Sequence, residues 1–490
     1  MYFNSYIFIF VFVPLVVIMY HFFNKMNRYT IAQIVVLIMS LIFYSFGNIK
    51  LLILICGSIL FNHLCSFLMK KAGHTVFFAS TAVVFDLGLL FYFKYFDFFI
   101  SNVNALAKTD WPLKHIVLPM GISFYTFQQI AYIIDRKRDE APHYSLLDYA
   151  SFVTFFPQLV AGPIVSHDVL VPQFKDEKKK VFNWACFTKG LFIFMTGLCK
   201  KVLIADILSL GVDHAYDNIS ALDTPAAFCA MLLFTFQLYF DFSGYSDMAI
   251  GLGLMMNIDL PLNFDSPYRS LSIREFWQRW HITLNAFFVK YVYIPLGGSR
   301  KGSIIRKRNV LIVFLLSGIW HGADWTFILW GILNGVMIVL EDVFKVQLEK
   351  IDRSKAGKLI RHICCFILIN MLWVIFRCDK LQDVPLFFSR LFSMRFDGGI
   401  MELAKAMNNG LLYIPRTVIS KINREWYYAA DMINISFMLV LSFVISMRKE
   451  AAVSLKEGRE RAEYVYMLIP LSALAVVSLS KVVVFLYSNF

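Results

Sequence analysis

The stretch Ser317-Gly318-Ile319-Trp320-His321-Gly322-Ala323-Asp324-Trp325 lies between two strongly apolar runs, residues 310–316 and 326–340. It places a histidine, His321, at or near the depth of a lipid bilayer. An ionisable residue in a membrane segment is costly, so it marks a candidate functional site. Desolvation lowers the pKa of a histidine and leaves a neutral imidazole that accepts a proton. By residue type alone, a helix-packing histidine with satisfied nitrogens is an equal alternative.

The composition identifies the class of protein. Hydrophobic residues make up 58% of the chain and charged residues 17%, whereas the surface of a soluble domain needs more charge. Apolar runs of spanning length recur, so we expect an all-α polytopic integral membrane protein. Its architecture is expected to include about 10–12 transmembrane helices with re-entrant and interfacial helices. The net charge of +13 is then a consequence of topology, and nucleic-acid binding explains it poorly.

The basic residues predict how the chain is oriented. Residues 7–20 are expected to belong to a retained first span rather than a signal peptide, because no basic region precedes them. The segment 377–432 is expected outside. The basic clusters expected inside are 70–71, 136–138, 178–180, 300–308 and 448–461. The eight cysteines include no CxxC pair, so neither a disulfide framework nor a zinc site is indicated.

Several polar side chains interrupt the apolar runs. In the run 76–100, Lys94 and Asp97 are expected to snorkel to the outer interface, while Asp86 is expected to face the protein interior. The run 226–254 contains Asp241 and Asp247 among other polar residues, so it is expected to face a cavity or other helices. A polar helix–helix interface is the simpler alternative. Lys200-Lys201, near the middle of another run, indicates a shielded helix or a break.

Breaks are also expected in two other runs. The run 116–134 contains Pro, Gly and adjacent glutamines, which indicate a broken or interior-facing helix. The run 149–165 is short, interrupted by Pro and Gly, and flanked by basic loops on both sides, so we interpret it as re-entrant.

A second histidine follows a helix-start signal. Ser272 and Glu275 have the spacing of a capping box, and apolar residues recur at helical spacing from 273 to 287. This pattern predicts one interfacial helix at the cytoplasmic face. His281 lies one turn beyond Trp277, at the border of the apolar stripe. Taken alone, His281 is more often an ordinary interface histidine.

A glycine-rich basic loop follows, with Gly297, Gly298 and Arg300 at its centre. Backbone N–H groups and cations of such a loop can bind phosphates. The spacing is not that of a Walker A motif. A positive-inside turn explains the loop at least as well.

Six stretches together resemble the membrane-bound O-acyltransferase (MBOAT) family. They occur in the order FFPQLVAGPI, YFDFSGYSDMAIGLG, LNFDSPY, REFWQRWHITL, YIPLGGSRKG and LSGIWHGADW. The resemblance covers residues 119–335 and is greatest to the bacterial branch that O-acetylates extracellular polysaccharides, typified by the alginate acetylation membrane subunit. The relative that transfers D-alanine to teichoic acid shares both histidine stretches. Two additional C-terminal spans favour polysaccharide acetylation here.

The resemblance implies an organisation and a reaction. N-terminal transmembrane helices would occupy residues 1–112, a catalytic core with a tunnel 113–345, and C-terminal helices with the extracytoplasmic segment 377–432 would occupy 346–490. A cytoplasmic thioester donor, acetyl-CoA or an acylated carrier, would supply the acetyl group, with no bound cofactor. Hydroxyls of a cell-surface polysaccharide would receive it across the bacterial cytoplasmic membrane. Transfer would be direct or would use an extracytoplasmic acetyltransferase or acceptor-presenting protein.

The resemblance also assigns roles to residues. His321 would be the catalytic base and His281 the second important histidine, on the donor side. Asp324 would orient the ring of His321 or only cap a helix, and Trp320 would support the site. Gly297, Gly298 and Arg300 would contact phosphates of the donor.

Two other classes of protein stay open. In a proton-coupled transporter or flippase, His321 would relay protons with Asp241 and Asp247, which would otherwise support the acyl-transfer site. In a non-catalytic assembly subunit, the chain would only hold a separate transferase. Acetyl release from acetyl-CoA by the purified protein distinguishes an enzyme from both.

Overall fold

The computed structural model describes residues 1–407, 426–456, 462–480 and 485–486, and these residues form helices without any strand. Among these described residues, seven helices are long and apolar enough to cross a membrane, which confirms an all-α polytopic membrane protein. They are Phe8–Lys25, Lys50–Lys71, Thr75–Ala107, Thr224–Met255, Trp325–Val343, Lys355–Arg377 and Ala429–Leu455. Tyr29–Ser45 and Leu468–Val477 are shorter apolar helices. The total of 10–12 spans, the tunnel, and the division of the chain at 112 and 345 remain predictions.

The first part of the chain contains twelve α-helices. They are α1 (Val13–Lys25), α2 (Tyr29–Ser45), α3 (Lys50–Lys71), α4 (Thr75–Leu90), α5 (Phe96–Ala107), α6 (Ile122–Lys137), α7 (Leu146–Thr154), α8 (Phe156–Leu159), α9 (His167–Lys175), α10 (Trp184–Cys199), α11 (Asp206–Asp217) and α12 (Thr224–Met255). Wider π-helical turns occur at Phe8–Phe12, Phe91–Tyr95 and Lys200–Ala205. The expected interruptions are present, because α6 begins only at Ile122 and the chain breaks at Phe155 between α7 and α8.

The remaining described helices lead through the candidate site to the C-terminal region. They are α13 (Ile273–Arg279), α14 (Ile282–Phe288), α15 (Ser303–His321), α16 (Trp325–Val343), α17 (Lys345–Ile351), α18 (Lys355–Arg377), α19 (Asp383–Leu391), α20 (Gly399–Ala406), α21 (Trp426–Ser446), α22 (Ala451–Lys456) and α23 (Ala462–Val477). A further π-helical turn, Val289–Tyr293, follows α14.

Helix α12 is the centre of the fold and contacts α10 through two pairs of glycines. A Cβ atom on Gly190 would lie 2.6 Å from the carbonyl oxygen of Gly251, and one on Gly197 would lie 2.4 Å from that of Gly244. The two helices are therefore antiparallel, with their backbones in contact. Small residues permit this approach in membrane helices, where packing drives association.

Buried ion pairs join α12 to the π-helical turn between α10 and α11. Lys200 and Lys201 lie in a π-helical turn, so this segment is both shielded and irregular. Lys200 pairs with Asp247 at 2.7 Å and with Glu450. Lys201 pairs with Asp241 at 2.6 Å. The two aspartates thus form a polar helix–helix interface, which was the simpler of the two interpretations.

Helices α15 and α16 form a tight hairpin that carries the histidine motif. A Cβ atom on Gly318 would lie 2.4 Å from the carbonyl oxygen of Phe327, and one on Gly331 would lie 2.4 Å from that of Phe314. The backbones can approach this closely because both positions are glycine. His321 is the last residue of α15, so it lies at the tip of the hairpin.

The described part of the segment 377–432 packs on the start of α12. Asp223, the N-cap of α12, accepts hydrogen bonds from the backbone N–H groups of Gly398 and Gly399 at 3.0 Å each. The N–H of Thr224 donates to the carbonyl of Arg395 at 3.0 Å. These contacts are those of a structural cap on the core. Residues 408–425 lie outside the described residues, and the outward placement of this segment remains a prediction.

Candidate functional site

The two histidines contact the same tryptophan. His281 and His321 are both buried. The ring centroid of Trp320 is 6.0 Å from that of His281 and 4.9 Å from that of His321. The structure therefore brings His281 to Trp320 and His321, which lie in a separate stretch of the sequence.

Aromatic rings enclose His321 on its other sides. Its ring centroid lies 5.2 Å from that of Trp330 on α16 and 5.3 Å from that of Phe376 on α18. Both imidazole–aromatic pairs are close to perpendicular. The imidazole is thus held in a largely aromatic surrounding built by three helices.

The predicted single helix around His281 is wrong. Ser272 caps the helix as expected, since its hydroxyl accepts from the N–H of Glu275 at 3.0 Å, but α13 ends at Arg279. His281 has φ +47° and ψ +50°, in the left-handed region, and α14 starts at the next residue. A non-glycine residue in this region costs about 1–3 kcal/mol, and such strain concentrates at functional sites.

A contact with another part of the chain maintains this break. The N–H of Ile282 donates to the carbonyl of Asn263 at 3.0 Å, and the hydroxyl of Thr283 donates to its side-chain oxygen at 2.7 Å. The local pattern favours a continuous helix, but Asn263 replaces the helical bonds that would cross His281. The ring of His281 is thereby turned toward Phe242, at 4.7 Å, and Trp320.

The carbonyl end of α15 is capped by side chains from the π-helical turn Phe91–Tyr95. The ammonium of Lys94 donates to the carbonyl of Trp320 at 2.5 Å and to that of His321 at 3.0 Å. The hydroxyl of Tyr95 donates to the carbonyl of Ile319 at 2.8 Å. The expectation that Lys94 snorkels to the outer interface is therefore wrong, because the free carbonyls of a helix end provide a stronger partner inside the protein.

Asp324 and Gly322 have clear structural roles. Asp324 is the N-cap of α16, and its carboxylate accepts from the N–H of Thr326 at 2.9 Å. Asp324 thus caps a helix, which was one of its two predicted roles. A role in orienting His321 remains a prediction. A Cβ atom on Gly322 would lie 2.1 Å from the ring of Phe327, so only glycine fits after the histidine.

A cavity of about 360 Å³ lies beside the hairpin tip. Its wall includes Gly322 and Phe376, so the cavity ends one aromatic ring from His321. The charged residues in its wall are Lys94, Asp324, Arg377 and Asp379. The space nearest to His321 is thus bordered by both charged and aromatic side chains.

The other predicted site residues lie in different surroundings. Asp241 and Asp247 are held by Lys201 and Lys200, as described above. Each aspartate is thus an ion-pair partner at a contact between helices. These contacts give no support to the transporter alternative.

The structure does not bring the glycine-rich loop to the histidines. Gly297 and Gly298 have φ values of +109° and +55°, which glycine adopts without strain. The side-chain amide of Asn309 donates to the carbonyl of Gly298 at 3.1 Å, and Arg300 is exposed. The loop and His321 lie at opposite ends of α15, which spans about 27 Å at 1.5 Å per residue.

A buried carboxylate anchors the chain ahead of this loop, and the sequence did not indicate it. Asp135 accepts hydrogen bonds from Lys290 at 2.8 Å, Tyr291 at 2.7 Å and His167 at 3.1 Å. Burial alone raises the pKa of Asp135, but these three hydrogen bonds outweigh it and lower the pKa to about 2. The only sequence signal was an aspartate directly before a basic cluster, and its partners are distant in the chain.

Within the ranges that the structure describes, no group of three or more His, Cys, Asp or Glu side chains is placed to hold a metal ion.

The chain is similar to known proteins over most of its length. Residues 36–378 match the membrane-bound O-acyltransferase (MBOAT) family. A peptidoglycan O-acetyltransferase of Helicobacter pylori is 36% identical over 78% of this chain and 78% of its own. Probable alginate O-acetylases of Pseudomonas putida and Pseudomonas aeruginosa are 34% and 39% identical. The first alignment covers all of both chains, and the second covers 84% of this chain and 78% of its relative.

Proposed function

The chain belongs to the membrane-bound O-acyltransferase family and is an O-acyltransferase, and we propose that it moves an acetyl group from a cytoplasmic thioester to hydroxyls of a cell-surface polysaccharide. The names of its relatives, an O-acetyltransferase and two O-acetylases, support acetyl as the transferred group. The observation that carries the proposal is the position of His321. It is a buried imidazole at a hairpin tip, one aromatic ring from a polar cavity.

In the proposed reaction, His321 is the general base. Its neutral imidazole takes the proton of the acceptor hydroxyl while the oxygen attacks the carbonyl carbon of the thioester. The carbon–sulfur bond then breaks, and the imidazolium returns the proton to the departing thiolate. His281, whose ring also contacts Trp320, lines the donor side. Trp320 contacts both imidazoles, and Asp324 supports the hairpin that carries His321.

The acceptor and donor approach from different directions. The acceptor enters through the 360 Å³ cavity at the hairpin tip. The donor is acetyl-CoA or an acylated carrier. If Gly297, Gly298 and Arg300 contact its phosphates, the donor must extend along about 27 Å to reach His321. We therefore propose that the donor binds in a tunnel of about this length, and not in a compact pocket.

The proposal also includes a partner, a separate acetyltransferase or acceptor-presenting protein that docks on the chain. Near the end of α19, Phe392, Met394 and Phe396 are 62%, 75% and 71% exposed, and Arg395 pairs with Asp397 between them. Exposed apolar groups edged by charges are typical of an interaction surface. We place the protein in a bacterial cytoplasmic membrane with this surface outside.

His321→Ala tests the proposed function. Loss of a general base costs about 10²–10⁴-fold in rate, so we expect the variant to insert and fold while acetyl release from acetyl-CoA and O-acetylation of surface glycans are lost. His74→Ala is the matched control, because His74 is an exposed residue at the start of α4. Near-normal acetylation by the His321 variant contradicts the proposal. Uptake of labelled substrate by the wild type without any acyl transfer indicates a transporter instead.

A further inference from the structure

Three buried indole N–H groups near His321 have no hydrogen-bond acceptor within the described residues. They belong to Trp320, Trp330 and Trp373, which are 4%, 1% and 2% exposed. Buried donors without partners are rare in proteins, and each one calls for a physical explanation.

Nearby tryptophans show that this region does provide acceptors. The indole N–H of Trp277 donates to the side-chain oxygen of Asn334 at 3.0 Å. The indole N–H of Trp325 donates to the side-chain oxygen of Asn102, also at 3.0 Å. Donors without an acceptor are therefore a property of the tryptophans around His321 and not of tryptophans in this bundle generally.

Two of the three unpaired donors belong to rings in direct contact with His321. Trp320 and Trp330 have centroids 4.9 Å and 5.2 Å from the imidazole, at interplanar angles of 74° and 89°. Trp373 instead stacks on Trp330, with centroids 5.7 Å apart and planes at 19°. The first two indoles thus flank the ring that would face both substrates.

We propose that the indole N–H groups of Trp320 and Trp330 are the hydrogen-bond donors that stabilise the oxyanion of the acyl-transfer reaction. This rests on the proposed function. As the hydroxyl oxygen bonds to the thioester carbon, its proton moves to His321 and the carbonyl electron pair moves onto the acyl oxygen. That oxygen becomes an anion and accepts from the two N–H groups. When the carbonyl forms again, the carbon–sulfur bond breaks and the proton passes from the imidazolium to the thiolate.

The physical reason for this assignment is charge development. Donors that are fixed by packing and shielded from water stabilise charge in the transition state without reorganising. Aromatic rings locked between helices satisfy both conditions. Because no protein oxygen competes for these N–H groups among the described residues, they are available to a substrate oxygen.

The sharpest test replaces the N–H and preserves the shape of the ring. Substituting 3-benzothienylalanine for Trp330, and separately for Trp320, exchanges the N–H for sulfur in an otherwise similar side chain. We expect kcat for thioester cleavage of acetyl-CoA to fall about 10²–10³-fold for each variant, with KM for the donor nearly unchanged. Trp330→Phe gives a second variant by ordinary mutagenesis.

Trp373 provides the matched control. The same substitution there removes an equally buried and unpaired N–H, but from a ring that stacks on Trp330. We expect kcat of the Trp373 variant to stay within about twofold of the wild type, because only an N–H that contacts the acyl oxygen stabilises the oxyanion.

Three outcomes overturn the inference. If both isosteric variants keep wild-type kcat, the indoles do not stabilise the oxyanion. If KM rises while kcat is unchanged, the N–H groups bind the ground state only. If the Trp373 variant loses as much activity as the other two, the effect is structural. An inert wild type overturns the proposed function as well, whereas an active wild type with equally active Trp320 and Trp330 variants overturns only this inference.

Discussion

Lys94→Met removes the ammonium that caps the helix end carrying His321 while it keeps a side chain of similar length. The variant leaves the carbonyls of Trp320 and His321 without their donor. Tyr95 still holds the carbonyl of Ile319. The change therefore loosens the last turn of α15 and leaves the rest of the hairpin in place.

The magnitude follows from the two hydrogen bonds. A hydrogen bond to a charged group contributes about 1.5–3 kcal/mol, so the pair contributes about 3–6 kcal/mol. Burial of the ammonium offsets part of this, because desolvating an ion costs several kcal/mol. We expect a net local loss of roughly 1–3 kcal/mol. A displacement of the catalytic ring by about 1 Å costs on the order of 10²-fold in rate.

The assay is thioester cleavage by the purified protein together with its melting temperature. We expect kcat to fall about 10–100-fold, with a melting temperature about 2 °C lower or less, because the loss is small for a protein of this size. Lys94→Arg retains cationic donors and should restore part of the rate. Lys114→Met is the control, since Lys114 packs over Phe96, at 4.6 Å, in the same part of the fold.

Two results would refute this reasoning. A Lys94→Met protein with wild-type kcat would show that the cap does not position His321. A fall in melting temperature that accounts for all of the lost activity would show that Lys94 stabilises the whole fold. Failure of Lys94→Arg to recover any rate would also count against positioning by hydrogen bonds.

Three further predictions concern other parts of the molecule. Gly197→Ala places a Cβ atom 2.4 Å from the carbonyl oxygen of Gly244; it should lower the melting temperature clearly, and an unchanged value would contradict the contact between α10 and α12. Asp135→Asn should lower the melting temperature at pH 7. The pKa of Asp135 is about 2 in the folded protein and ordinarily 3.8, so its contribution to stability is fully present above pH 3.8 and is lost as the pH falls toward 2. The difference in melting temperature between the variant and the wild type should therefore shrink over that pH range; a constant difference would refute this. Single cysteines in place of Lys179 or Lys307 should resist an impermeant reagent in intact cells, and labelling of either would overturn the predicted orientation.

Much of the fold was predictable because its signals are local. Apolar runs of spanning length identify membrane helices without any knowledge of their neighbours. The Ser272 cap and the interruptions before α6 and at Phe155 were also predictable, because capping residues, Pro and Gly affect the backbone within a few residues of themselves. Lys200-Lys201 required either shielding or a break, and the structure provides both. The motif order predicted the family because six separate stretches agreed.

The chain alone thus determined an all-α membrane protein of the O-acyltransferase family and identified His321 and His281 as its candidate residues. Tertiary structure decided how they are held. Lys94 reaches carbonyls 226 and 227 positions away, and Asn263 breaks the helix at His281. The indoles of Trp320 and Trp330 meet His321 with no acceptor among the described residues. None of these contacts leaves a periodic trace in the sequence. Hydropathy and capping depend on neighbours along one segment, whereas the partner of a polar group in a bundle depends on which segments pack together.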